Sequence, residues 1–291
     1  MDDYLIRATA GSGMIRAFAL QTTRLTDEAR RRHDLYPVAS AALGRTMTVS
    51  LVLGAMIKSG SVTVQVQGDG SLKGVLTSAD SEGNVRGYVG NPYVDLPLNA
   101  KGKLPVGEAV GEGMLHVIRD MGLKEPYRGS VPLSSGEIGD DFAYYFTASE
   151  QTPSIVGVGV LVNPDRSIQV AGGYVIQLLP GASDEIITQL EQRTPLLPPV
   201  TTLLCKGKSP EEILHHLLAD FNVEIKTKMP VHFACLCTKE RLEQSLIAIG
   251  EEELQTLITE DEQAELVCHF CEEHYFFSKV ELEELLHTLK E

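Results

Sequence analysis

The residues of this chain best suited to chemistry lie near its end. They are Cys235-Leu236-Cys237 and, after thirty intervening residues, Cys268-His269-Phe270-Cys271. Four of the five cysteines fall in these two pairs. A C-x-C or C-x-x-C pair brings two sulfurs close enough to grip one ion, and two such pairs complete a closed four-thiolate zinc site. The spacing predicts one Zn2+ per chain, held by Cys235, Cys237, Cys268 and Cys271. It leaves open whether the metal is a static staple or part of a redox device.

The segment around these pairs sharpens the question. Residues 232–291 hold fifteen Asp and Glu against four Lys and Arg, a balance of −11. A stretch of this size buries too little apolar surface to fold well alone. Thiolate-bound zinc contributes about 10–16 kcal/mol in small domains, as much as the whole stability of a typical fold. Losing the metal is therefore expected to unfold the tail. Oxidising the sulfurs has the same consequence, because only the thiolate binds zinc. One site can thus serve as both staple and fuse.

Other chemistry is sparse. His232, His269 and His274 flank the cysteines, but four thiolates already satisfy zinc, so second-sphere or solvated roles are expected for all three. Cys205 stands apart, after Leu203-Leu204, where a small buried hydrophobe is the expected role. Lys206 and Lys208 nearby would favour a reactive thiolate instead. Gly207-Lys208-Ser209 resembles the end of a phosphate-binding loop, but the glycine that motif requires is Thr202. Gly68-Asp69-Gly70-Ser71-Leu72-Lys73-Gly74 places its last glycine one residue late for a dinucleotide fingerprint, and reads as a hairpin turn. No nucleophile elbow or H-E-x-x-H motif occurs. No enzyme activity and no ATP use are expected.

Charge and composition narrow the class further. The net charge is −15, of which only −4 belongs to residues 1–231. Nucleic-acid binding needs a basic surface, and the metal-site segment is the most acidic part of the chain. No run of eighteen uncharged apolar residues occurs, so no membrane span is expected. Met1-Asp2-Asp3-Tyr4 begins acidic, without a basic-then-apolar leader, so no secretory signal is expected. In an unexported chain, paired cysteines favour metal or redox chemistry over a disulfide framework.

The elements that must carry the site read as follows. Tyr4–Ala10 and Met14–Thr22 form a hairpin about Gly11-Ser12-Gly13. Thr26 is the expected N-cap of a charged helix with Asp27 and Glu28 in its first turn. Pro37 opens an apolar, buried helix to about Lys58. Ser61–Gln67 alternates with period two, and Leu72–Ser78 and Val85–Gly90 continue the sheet. Residues 91–113 read as loop, Met114–Met121 and Gly129–Leu133 as strands, and 140–151 as a helix carrying the aromatic run Phe142–Phe146 into the core. Ile155–Val162 and Ile168–Leu178 make another hairpin. After Pro180-Gly181, Ser183 caps a helix, and Ser209-Pro210-Glu211-Glu212 is a capping box opening a second helix, with an apolar stripe at Ile213, Leu214, Leu217 and Leu218. Val223–Phe233 is extended. Short helices follow at Lys239–Ile249 and Glu251–Thr259. A last helix opens at Ser278 and Glu281, with Leu282, Leu285, Leu286 and Leu289 on one face.

The reading is α+β. It comprises an N-terminal domain, residues 1–179, with a mainly antiparallel sheet and packed helices. A helical linker, 180–231, and a small C-terminal zinc-binding redox-switch domain, 232–291, follow.

The chain resembles the heat shock protein 33 family of redox-regulated bacterial holdase chaperones. The likeness rests on the two cysteine pairs and on Gln65-Val66-Gln67-Gly68-Asp69-Gly70. It extends to Phe142-Ala143-Tyr144-Tyr145-Phe146-Thr147 with Ser149-Glu150-Gln151, and to Ala171-Gly172-Gly173-Tyr174 through Gln177-Leu178-Leu179-Pro180. It implies a protein inactive when reduced and zinc-bound. Peroxide or hypochlorite would form two disulfides among Cys235, Cys237, Cys268 and Cys271, release zinc, unfold the C-terminal part and favour a homodimer that binds unfolded client proteins without ATP. Two other classes stay open: a constitutive zinc-stabilised adaptor with a fixed partner, and a thiol-disulfide oxidoreductase using Cys268 and Cys271.

Overall fold

A computed structural model describes residues 2–290. The chain forms two compact units, Met1–Ala234 and Cys235–Glu291. In the first, β1 (Tyr4–Ala10) and β2 (Ile15–Gln21) pair antiparallel. Gly11, Ser12 and Gly13 turn them with φ values of 56°, 54° and 88°, a region glycine enters without steric cost.

α1 (Thr23–Arg32) starts before Thr26, which is a buried interior residue and not the N-cap, and no acidic residue lies in its first turn. The cause is long-range. Asp3 Oδ2 accepts from the Leu25 N–H at 2.7 Å, so a carboxylate from the start of the chain satisfies an end of the helix that local spacing assigned to Thr26.

α2 (Pro37–Met56) has Pro37 in its first turn and is buried on nearly every side. Its hydroxyls are satisfied internally: Thr46, Thr48 and Ser50 donate to carbonyls one turn back at 2.8, 2.8 and 2.9 Å. By length and composition it would cross a membrane, but 89% of its apolar window is buried inside the protein, which makes it a core helix. At Gly54 an added Cβ would lie 2.3 Å from the Asp80 carbonyl oxygen, so only glycine lets the helix end approach the sheet this closely.

β3 (Ser61–Gly68), β4 (Val75–Asp80) and β5 (Asn84–Val89) form an antiparallel meander. α3 (Val106–Val110) interrupts the stretch expected as loop. β6 (Gly113–Asp120) and β7 (Tyr127–Pro132) extend the meander, and α4 (Gly139–Ala148) buries Phe142, Tyr145 and Phe146. β8 (Ser154–Val162) pairs with β9 (Ile168–Leu178). α5 (Asp184–Arg193), α6 (Val200–Cys205) and α7 (Pro210–Leu217) follow, then β10 (Glu224–Pro230) and β11 (His232–Phe233).

The strands expected as one sheet make two. One is ordered β10-β1-β2-β9-β8, the other β11-β5-β4-β3-β6-β7. All pairings are antiparallel except β11 with β5. α2 packs on strands of both sheets.

Residues 180–231 do not stand apart as a linker. The capping box at Ser209 and Glu212 forms, with mutual hydrogen bonds of 2.9 and 3.2 Å. The stripe it launches is buried: Ile213, Leu214, Leu217 and Leu218 join Leu190, Val200 and Leu203 over Ile6, Ala8, Ala17 and Ile176 of the five-stranded sheet. That sheet has an apolar residue on each face, so its second face needs a cover, and α5–α7 supply it. The extended stretch at Val223–Phe233 becomes β10 and β11, each an edge strand.

The second unit contains α8 (Lys239–Ile249), α9 (Glu251–Thr256), a π turn at Leu257–Asp261, the hairpin of β12 (Gln263–Val267) with β13 (His274–Ser278), and α10 (Lys279–Lys290). Its core is small. Leu246, Leu254, Ile258, Phe277, Leu282 and Leu286 are its buried apolar side chains.

Candidate metal centre

Two turns position the four cysteines. Cys235 and Cys237 lie on the stretch that leads into α8, whose start is fixed by Thr238: its side chain accepts from the Arg241 N–H at 3.3 Å. Arg241 in turn donates through Nη1 to the Leu236 carbonyl at 2.9 Å, which holds the C-x-C loop to the helix. Cys268 and Cys271 sit on the tight turn between β12 and β13. The Cys268 carbonyl accepts from the N–H groups of Cys271 at 3.1 Å and Glu272 at 2.8 Å, and the Cys268 N–H donates to Glu273. Glu272 turns the chain with φ 55°.

The four sulfurs converge. All lie within 4.8 Å of one another, with Cys235 Sγ 3.7 Å from Cys268 Sγ and Cys237 Sγ 3.3 Å from Cys271 Sγ. Covalent disulfides span about 2.05 Å, and no disulfide joins these sulfurs. Ligands at about 2.3 Å from a tetrahedral ion stand about 3.8 Å apart, the spacing a thiolate-bound zinc demands. The donor set therefore fits one small tetrahedral cation, and it could hold a metal ion.

Burial differs across the set. Cys271 is buried and the other three are half-buried, within reach of a small oxidant. Burial is the main force that pushes the Cys268 and Cys271 thiols up. With no cation beside them, such sulfurs stay protonated, and a coordinating dication reverses that preference. The Tyr275 hydroxyl lies 3.2 Å from the Cys237 carbonyl and 3.3 Å from Cys237 Sγ. That hydrogen bond is the first cause raising the phenol, which keeps it a neutral donor to the sulfur.

The histidines stand outside this set. His274 Nδ1 lies 2.5 Å from Glu265 Oε1, and its ring stacks on Phe276. His269 is exposed, and His232 is an exposed residue of β11 in the first unit. The metal-ligand group found among the described residues contains the four cysteines and no histidine. Cys205 corrects its expectation: it is exposed. In α6 the buried positions are Val200, Leu203 and Leu204, so the next position, at the helix end, faces solvent. Thr238, Arg241 and Tyr275 were missed from sequence. Thr238 before a polar helix start was a legible cap, whereas nothing local pointed Tyr275 at a sulfur.

Comparison with known proteins covers the same ground. A family model described as Hsp33 protein matches residues 3–278. A 33 kDa chaperonin of Oceanobacillus iheyensis is 52% identical over 287 residues, spanning 98% of this chain and 99% of the relative. A 33 kDa chaperonin of Bacillus subtilis is 52% identical over 285 residues, 97% of this chain and 98% of the relative. The crystal structure of the 33 kDa chaperonin, a heat shock protein 33 homolog, from Thermotoga maritima superposes with a TM-score of 0.92. It is 34% identical, with 99% of each chain covered.

Proposed function

The chain belongs to the Hsp33 family, and on that premise we propose that it is a redox-regulated, ATP-independent holdase chaperone, inactive while reduced and zinc-bound. The observation that carries this reading is the cluster of four sulfurs, not joined by disulfides, in a unit with a small apolar core. Zinc, when bound, would hold the thiolates of Cys235, Cys237, Cys268 and Cys271 together and contribute about 10–16 kcal/mol of folding free energy.

The switch lies in the sulfurs. Two thiolates give up two electrons to one peroxide, which takes two protons from water and leaves as two waters while an S–S bond forms and the ion loses two ligands. Two such events, Cys268 with Cys271 and Cys235 with Cys237, consume every ligand. The small core of residues 235–290 then lacks its staple and unfolds. We extend the unfolding to residues 180–231, which follow as the layer over the five-stranded sheet. Lifting that layer uncovers Ile213, Leu214, Leu217 and Leu218 together with the sheet face beneath them, and a large apolar surface binds unfolded chains. The oxidised form is a homodimer in the cytoplasm, with no catalytic step and no nucleic-acid or membrane partner.

The test is suppression of light scattering by an unrelated, chemically unfolded protein, with reduced zinc-loaded and peroxide-treated samples compared. Activity confined to the oxidised sample is expected. Equal activity in both favours a constitutive adaptor, and turnover of a dithiol substrate favours an oxidoreductase.

A further inference from the structure

The first unit carries a cleft remote in sequence from the cysteines. Its volume of about 690 Å³ is that of a small-molecule site. Both sheets and the core helix build it. Arg16 comes from β2, Arg119 from β6, and Met56 and Ile57 from the end of α2. Met121 and Leu123, on the β6–β7 turn, and Tyr127, which opens β7, complete an apolar wall and are exposed. Apolar side chains this open lack cover from their own fold.

The charged lining is unbalanced. Glu150 is its one carboxylate, and Arg119 engages it, both side chains being mostly buried. Arg16 is half-buried and donates through Nε and Nη2 to Gln177 Oε1 at 3.1 and 2.7 Å. That acceptor is neutral, so it satisfies part of the donor fork and none of the charge. Burial is the first cause lowering the Arg16 pKa, repulsion from Arg7 is the next, and Glu150 offsets part of both. Lys58, exposed, is a third cation of the lining. The excess is positive, in a chain of net charge −15.

We propose that this cleft binds a small single-chain amphiphile, a medium-chain carboxylate. Its head answers the uncompensated charge of Arg16, whose planar fork matches a carboxylate, and Lys58 adds a point charge beside it. Its tail lies along Met56, Ile57, Met121, Leu123 and Tyr127 and removes that wall from water. An inorganic anion would answer the charge and leave the wall bare. A neutral hydrocarbon would cover the wall and leave Arg16 without a counter-charge. A molecule with both parts meets both needs. The site uses neither the cysteines nor the α5–α7 layer, so it stands apart from the redox reading.

The test uses the full-length, reduced, zinc-loaded protein with methyl-labelled methionines. Decanoate, decanol and decylamine are titrated below their aggregation limits. Decanoate is expected to shift the Met56 and Met121 methyl resonances saturably, to leave those of Met47 and Met229 in place, and to raise the thermal transition. It is expected to bind about tenfold more tightly than decanol or decylamine. Lys58→Glu removes that preference, and Leu123→Ser weakens decanoate and decanol alike. Both positions are exposed, and unchanged transitions without ligand verify that the variants fold. Phosphatidylglycerol vesicles form a separate arm, which distinguishes a free carboxylate from a lipid surface. Silent Met56 and Met121 resonances, equal affinity for the three probes, indifference to both substitutions, a lowered transition, or binding to vesicles without any response to decanoate overturns the proposal.

Discussion

Tyr275 shows how much of the centre lies outside its ligands. Its hydroxyl touches Cys237 Sγ, and a donor to a thiolate offsets part of the negative charge that four sulfurs collect. Losing such an outer contact costs about 10–100-fold in metal affinity. Tyr275→Phe is expected to fall in that range when zinc is competed with a chromophoric chelator; unchanged affinity would remove Tyr275 from the site. The sulfurs themselves are not equivalent. A Cys268–Cys271 bridge closes a C-x-x-C turn whose backbone is already hydrogen-bonded end to end. A Cys235–Cys237 bridge closes a tighter loop, and strained disulfides are more readily reduced. Timed alkylation with peptide mapping during peroxide treatment is expected to find Cys268–Cys271 first. A first bridge at Cys235–Cys237, or a dominant cross-bridge such as Cys237–Cys271, would refute this order.

At the scale of elements, the proposed switch and the proposed client binding meet at α7. Leu214 is fully buried on the five-stranded sheet, and truncating such a side chain costs about 2–5 kcal/mol. Leu214→Ala is therefore expected to loosen the α5–α7 layer and give measurable aggregation suppression even in the reduced protein. A reduced variant as silent as wild type would uncouple that layer from activity. The elements also show what a sequence reveals. Period-two strands such as Ser61–Gly68, the Pro37 helix and the Ser209 capping box were legible because their signals are local. The cysteine pairs were legible because spacing alone brings two sulfurs together. The Asp3 cap of α1, the division into two sheets and the edge roles of β10 and β11 were not. Each depends on a partner far along the chain, and no local window contains it. Cys205 failed for a related reason: its neighbours Leu203 and Leu204 announce burial, but the helix ends there.

At the scale of the whole molecule, the charge and the metal site belong to the same segment. Residues 232–291 carry most of the net charge of −15, so an opened tail repels other tails and stays dissolved. Its core is small, so a bound metal, more than burial, is expected to decide whether it folds. Removing zinc with a chelator under reducing conditions is expected to unfold residues 235–290, read as a loss of helical signal in proportion to metal removed, while the two sheets of the first unit persist. Retention of full helical signal in the metal-free protein would show that the core alone suffices.

Loss of the thiolate cluster is expected to unfold the C-terminal unit, and that unfolding is expected to create the client-binding surface. The most direct measurement is hydrogen exchange by mass spectrometry along a peroxide time course, with aggregation suppression assayed on the same aliquots. Protection across residues 235–290, followed by 180–231, is expected to fall as activity rises, with β3–β6 remaining protected. Full activity while residues 180–290 keep their protection would contradict the claim.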